Sequence, residues 1–116
     1  MKYISEEDID KLIKDFGLGA AWFPTSVYIS MNLKNNKNLP KDFRERELEI
    51  FNLRKNKFGW YVHGYIDKID NEFKLTYCML DDVDIKFCYK VMEKVKKRLK
   101  ELQVMYKIKR IKDDFE

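Results

Sequence analysis

The segment from Glu47 to Leu80, ELEIFNLRKNKFGWYVHGYIDKIDNEFKLTYCML, decides the fold class. Its apolar residues recur at every second position in short runs, the period of half-buried strands. One strand runs from about Glu47 to Arg54, and Lys55-Asn56-Lys57 turns the chain. The next, Phe58 to Asp67, sets Trp60, Val62 and Ile66 on one face and Tyr61, His63 and Tyr65 on the other. Asp70-Asn71 supplies a tight turn into a further strand, Glu72 to Leu80, with Phe73, Leu75, Tyr77 and Met79 facing one way. Turns this short predict antiparallel neighbours.

Upstream, Val27, Ile29, Met31 and Leu33 alternate with Ser26, Tyr28, Ser30 and Asn32, which adds a fourth strand. Lys34 to Asp42 reads as a loop, and Leu18 to Pro24 as an apolar connection. Ahead of it lies a short helix. Ser5 is suited to its N-cap, with Glu6, Glu7 and Asp8 in the first turn, where the helix dipole favours negative charge. Ile9, Leu12, Ile13 and Phe16 form one apolar stripe, and Gly17 supplies the C-terminal stop.

Downstream, Asp81-Asp82-Val83-Asp84 ends the sheet and opens a long helix. Ile85, Cys88, Met92, Val95, Leu99, Leu102 and Tyr106 step alternately by three and four, a heptad seam. Beyond Gln103, Val104, Ile108, Ile111 and Phe115 make a second helical stripe on a different face. Residues 104–111 also alternate as a fifth strand would; continued helix is the preferred reading. The order α-β-β-β-β-α predicts one α+β domain over residues 1–116. It has a short N-terminal helix, a four-stranded antiparallel β-meander, and a long C-terminal helix packed on the sheet. No alternating βα pattern supports a dinucleotide fold.

Composition bounds function mostly by exclusion. The chain has 116 residues, 45% hydrophobic and 38% charged, which excludes a disordered tail. Cys78 and Cys88 are too few for a disulfide framework or a four-ligand zinc set. There is no apolar leader and no apolar run of membrane-spanning length, so a soluble cytoplasmic protein with no membrane partner is expected. Lysine supplies 19 of the 24 basic residues, a bias that an AT-rich genome produces by codon usage alone. The net charge of +4 is an average over unlike regions. Residues 86–112 hold eleven basic and two acidic side chains, whereas residues 1–85 sum to −2.

Three surfaces are candidates for recognition. The first is a sheet face carrying Tyr28, Tyr61, His63 and Tyr65, with Thr76 and Cys78 beside them, whose rings could stack on bases or bury against a protein. It requires an unbroken register, since one bulge exchanges the faces. The second is the basic helix through Lys90, Lys94, Lys97, Arg98 and Lys100, read either as an anion contact or as a solvated outer face. The third is the pair Trp22 and Phe23, which either cap the core edge or form an exposed anchor. A homodimer through Met92, Val95, Leu99 and Leu102 is the alternative to packing that seam within the monomer.

No catalytic, metal or cofactor site emerges. His63 is the single histidine, and no nucleophile or carboxylate stands at a recognised spacing from it. Asp81, Asp82 and Asp84 lack supporting ligands, and helix capping accounts for Asp82 or Asp84 more simply. Gly17-Leu18-Gly19 follows a helix and opens none, unlike a phosphate-binding loop. The expectation is a small non-enzymatic protein-binding module, an inhibitor, immunity-type protein or adaptor. Phages and mobile elements encode such proteins, often rich in Lys and Asn, as antagonists of host defence. A nucleic-acid-binding domain using the basic helix and the Tyr face is the alternative.

Overall fold

Ser5 and Gly17 bracket the first helix for the reasons that the sequence supplies. In the computed structural model, which describes residues 1–115, α1 spans Glu6–Phe16. Ser5 Oγ accepts the Asp8 N–H at 3.1 Å, and Gly17 turns the chain at φ 61°, a left-handed conformation that costs glycine little. Ile9 and Leu12 are its buried residues.

Five strands follow: β1 Gly19–Trp22, β2 Ser26–Met31, β3 Leu48–Asn56, β4 Gly59–Ile69 and β5 Leu75–Cys78. They pair antiparallel in the order β1-β2-β3-β4-β5. A short helix, α2 (Lys41–Arg44), interrupts the long β2–β3 loop and buries Phe43. The last helix, α3, spans Ile85–Phe115. The α+β architecture therefore stands, with one correction of detail and one open alternative resolved as preferred. The apolar connection at Leu18–Pro24 contains a strand, β1, and residues 104–111 continue the helix. β1 escapes pattern reading because Gly19-Ala20-Ala21 has no β-branched residue and no polar alternation. Its strand conformation comes from the hairpin, where Phe23 N–H donates to Ser26 O at 2.8 Å.

Bulges break the ladder at three places, leaving Ile50, His63 and Asp67 without an opposite residue. The bulge at His63 matters most. Before it, Val62 pairs with Leu53 on the core face; after it, Tyr65 pairs with Phe51, which is also buried. One extra residue thus turns Tyr65 inward. The β4–β5 turn is longer than Asp70-Asn71 alone. Asp70 Oδ1 accepts the N–H groups of Glu72 and Lys74, and Phe73 sits at φ 63°. That conformation is unfavourable for a bulky residue, and the Phe73 ring is held between Phe43 at 5.1 Å and Tyr106 at 6.3 Å.

Residue Asp84 is the N-cap of α3: its Oδ1 accepts the Phe87 N–H at 2.9 Å, and this bond lowers its pKa. From there α3 packs on β4, and α1 packs on α3. Cys88, Met92, Val95, Leu99 and Leu102 form the buried seam, closing a core with Val27, Ile29, Phe51, Leu53 and Val62. Trp60 joins several elements at one end of the sheet. Its Nε1–H donates to Glu6 at 3.1 Å, its carbonyl accepts the Ile4 N–H at 2.8 Å, and Trp22 meets it edge-on at 5.5 Å.

Candidate functional site

Of the four residues read as one sheet face, the structure keeps three available and removes one. Tyr28 is exposed and lies edge-on to the exposed Phe23 at 5.9 Å. Tyr61 is half-buried and meets Tyr3 edge-on at 6.4 Å, and Phe58 lies 6.2 Å from the same Tyr3 ring. His63 occupies the bulge, half-buried, and its ring makes no hydrogen bond among the described residues. Tyr65 belongs to the core, 5.0 Å from Phe87 in an edge contact. The Tyr face is therefore two smaller aromatic groups, a pair and a trio, on either side of β3. The first of them includes Phe23, which the sequence placed in a separate candidate.

Trp22 and Phe23 also divide. Trp22 leans across β2 and β3 toward Trp60 and caps the core edge, while Phe23 faces outward with Tyr28.

The basic helix resolves into one engaged side chain and four free ones. Arg98 donates through Nε to Ile69 O at 2.8 Å and through Nη2 to Asn71 Oδ1 at 2.6 Å. It also pairs with Glu101 at 3.1 Å, so its guanidinium fastens the β4–β5 turn to α3 and is no longer a surface cation. Lys90, Lys94, Lys97 and Lys100 are exposed, with no carboxylate within 4.0 Å among the described residues. Lys90 and Lys94 line a cleft of about 1340 Å³ between α3 and the β4–β5 hairpin.

The dimer seam is corrected by burial. Met92, Val95, Leu99 and Leu102 are all interior to the monomer, and none is free to meet a second chain. The second stripe behaves differently. At 3.6 residues per turn it lies on the side of α3 opposite the seam. Val104, Ile108 and Ile111 are 59%, 56% and 49% exposed. The Phe115 side chain lies outside the described residues. The inner side of these same turns rests on the rest of the protein through Tyr106, against Phe73, and Arg110, which donates to Lys37 O at 3.5 Å. Thus α3 is apolar toward the sheet for its first five turns and apolar toward solvent for its last three. Lys100, Lys107 and Lys112 flank the outward stripe. The sequence carries the signal for this site in the change of stripe at Gln103.

Among the described residues no cluster of three or more His, Cys, Asp or Glu side chains could hold a metal, and no helix is long and apolar enough to cross a membrane. Asp82 approaches the N-terminal amine at 3.7 Å, and Asp84 is committed to its cap.

Several protonated groups are locked in place. The hydrogen bond to Cys78, followed by burial, pushes Tyr65 up to about 12. Burial does the same to Cys88, and Tyr89 rises to about 12 through desolvation and its 2.7 Å bond to Asp15. Unfolded, these groups ionise near their ordinary values of about 8.5 to 10. Above that range the unfolded chain binds fewer protons than the folded one, so stability falls as pH rises from about 9 toward 12. Thermal melts across this range should show the decline, and Tyr65→Phe with Tyr89→Phe should make it shallower. An equally steep decline in the double variant would refute the assignment.

Compared with protein-family models, curated proteins and solved structures, the chain gives no significant match.

Proposed function

We propose that this chain is a non-enzymatic protein-binding module, an inhibitor or adaptor of the kind that phages and mobile elements encode. The observation that carries the reading is the reversal of polarity along α3. Val104, Ile108 and Ile111 stand at i, i+4 and i+7, the spacing with which an amphipathic helix anchors in a partner's groove. The sheet lies on the other side of the helix, so folding of the monomer cannot cover them. Each is about half exposed, so covering the remainder is worth roughly 0.8–1.5 kcal/mol, enough together to anchor a modest interface. The exposed Phe23–Tyr28 pair offers a second, aromatic contact of the same type.

The test is affinity capture from the native host. Wild type should recover one stoichiometric partner, and Ile108→Ser with Ile111→Ser should weaken its binding by about a hundredfold. Because both residues are exposed, the variant should melt close to wild type. A partner held equally well by the variant would sink this reading.

A nucleic-acid-binding domain is the second reading, favoured by the row of exposed lysines at positions 86, 90, 94, 97 and 100 on the outer side of α3. The same proteins can be titrated with single- and double-stranded DNA and RNA. Salt-sensitive binding that survives in the Ile108 and Ile111 variant and disappears in Lys97→Glu with Lys100→Glu would establish it instead. Arg98 is left intact in that test, since its removal would loosen the β4–β5 turn.

A further inference from the structure

From Phe16 to Leu33 the chain carries no charged residue, 18 consecutive positions in a protein whose residues are 38% charged. That stretch contains the whole β1–β2 hairpin, and β1 is an open edge of the sheet. Soluble proteins usually guard such edges with lysine, proline, a bulge or a covering loop, because unpaired backbone groups invite another strand. None of these devices is present on β1. Gly19, Ala20, Ala21 and Trp22 are all exposed, and their pairing with β2 is regular throughout. Pro24 comes only after the strand has ended.

We propose that β1 pairs with β1 of a second copy of this chain, antiparallel about a two-fold axis, joining two five-stranded sheets into one of ten strands. The edge suits itself better than it suits an arbitrary partner. An axis at Ala21 sets that residue opposite the partner's Ala21, so methyl meets methyl at the centre, and the outward backbone groups of Ala20 and Trp22 meet those of the copy's edge. The same register sets Trp22, the one large side chain of β1, opposite the partner's Ala20, whose methyl leaves the indole room. No charge needs to be matched across the interface, and none opposes its own copy. Like charges would meet if α3 paired with itself through the lysine-flanked stripe. Because α3 packs on β4, far from β1 in the strand order, the dimer leaves Val104, Ile108 and Ile111 free. This inference is therefore independent of the proposed partner site.

A four-residue edge buries less than a standard interface, so the affinity should be modest, with dissociation in about the micromolar range. Sedimentation velocity on the full chain from about 1 to 500 µM should reveal a monomer–dimer equilibrium. Ala20→Lys with Ala21→Lys gathers four like charges at the axis and should raise the dissociation constant at least about tenfold. Both positions are exposed, and an unchanged circular dichroism spectrum verifies the fold. As a second variant, Ile108→Ser with Ile111→Ser should dimerise like wild type. A protein that is monomeric throughout overturns the proposal. So does a dimer that the two lysines leave intact, or one that the α3 variant abolishes.

Discussion

Substituting Glu for Leu99 unfolds the monomer; it does not split a dimer. Leu99 is buried on the α3 seam with Val95 and Leu102 along one side of the helix. The exchange forfeits about 1.5–3 kcal/mol of apolar burial. It also forces a carboxylate into a site with no cation, which costs several kcal/mol more or obliges the group to stay protonated. The total rivals the roughly 5–15 kcal/mol that holds a typical domain together. Leu99→Ala removes burial without adding charge, at a cost of about 2–5 kcal/mol, and should melt lower yet remain folded at room temperature. Thermal melts followed by far-ultraviolet circular dichroism separate these outcomes. If Leu99→Glu melted within a few degrees of wild type, the assignment of the seam to the core would be wrong.

Trp60→Ala should lose about 3–5 kcal/mol, near the top of the range for a single truncation. The indole is buried on β4, bonds Glu6 of α1 through Nε1, and meets the Trp22 ring edge-on. Removing it leaves a cavity, an unmatched Glu6 and an unsupported β1 edge. Trp60→Phe keeps much of the volume but not the hydrogen bond, and should recover more than half of the loss. Urea denaturation measures both, provided that the unfolding slope stays constant. A loss below about 1 kcal/mol in Trp60→Ala would mean that the ring is peripheral.

These two residues also illustrate what periodicity can and cannot deliver. Leu99 and Trp60 both stand out in the sequence, one by heptad spacing and the other by strand alternation, because a long helix and a strand each repeat their burial. Ser5, Gly17 and, as one of two candidates with Asp82, Asp84 are readable for a similar reason: a cap satisfies local backbone groups and depends on little else. The failures come from non-local causes. Tyr65 alternates in sequence with Val62 as if on the opposite face, and only the extra residue at His63, created by pairing with β3, brings it inside. Arg98 looks like any other cation of the basic run until the β4–β5 turn arrives beside it, 27 residues away in sequence at Asn71. β1 is drawn into the sheet by its partner strand alone. Of the candidate surfaces, the lysine row and the outward stripe follow from helical geometry. The aromatic pairs required the β1–β2 turn to bring Phe23 to Tyr28 and the Ile4–Trp60 bridge to bring Tyr3 to Tyr61.

The reversal of polarity along α3 has a further consequence for how firmly the helix is held. Its N-terminal part is sealed by a cap and a core, so opening it means unfolding the domain. Its final turns have little beneath them except Tyr106 and Arg110, and can fray while everything else stays intact. One unbroken helix thus joins a rigid root to a loose tip. Whatever settles on the tip would quiet that fraying, so part of its binding energy would go to completing a helix that the isolated chain leaves half-anchored.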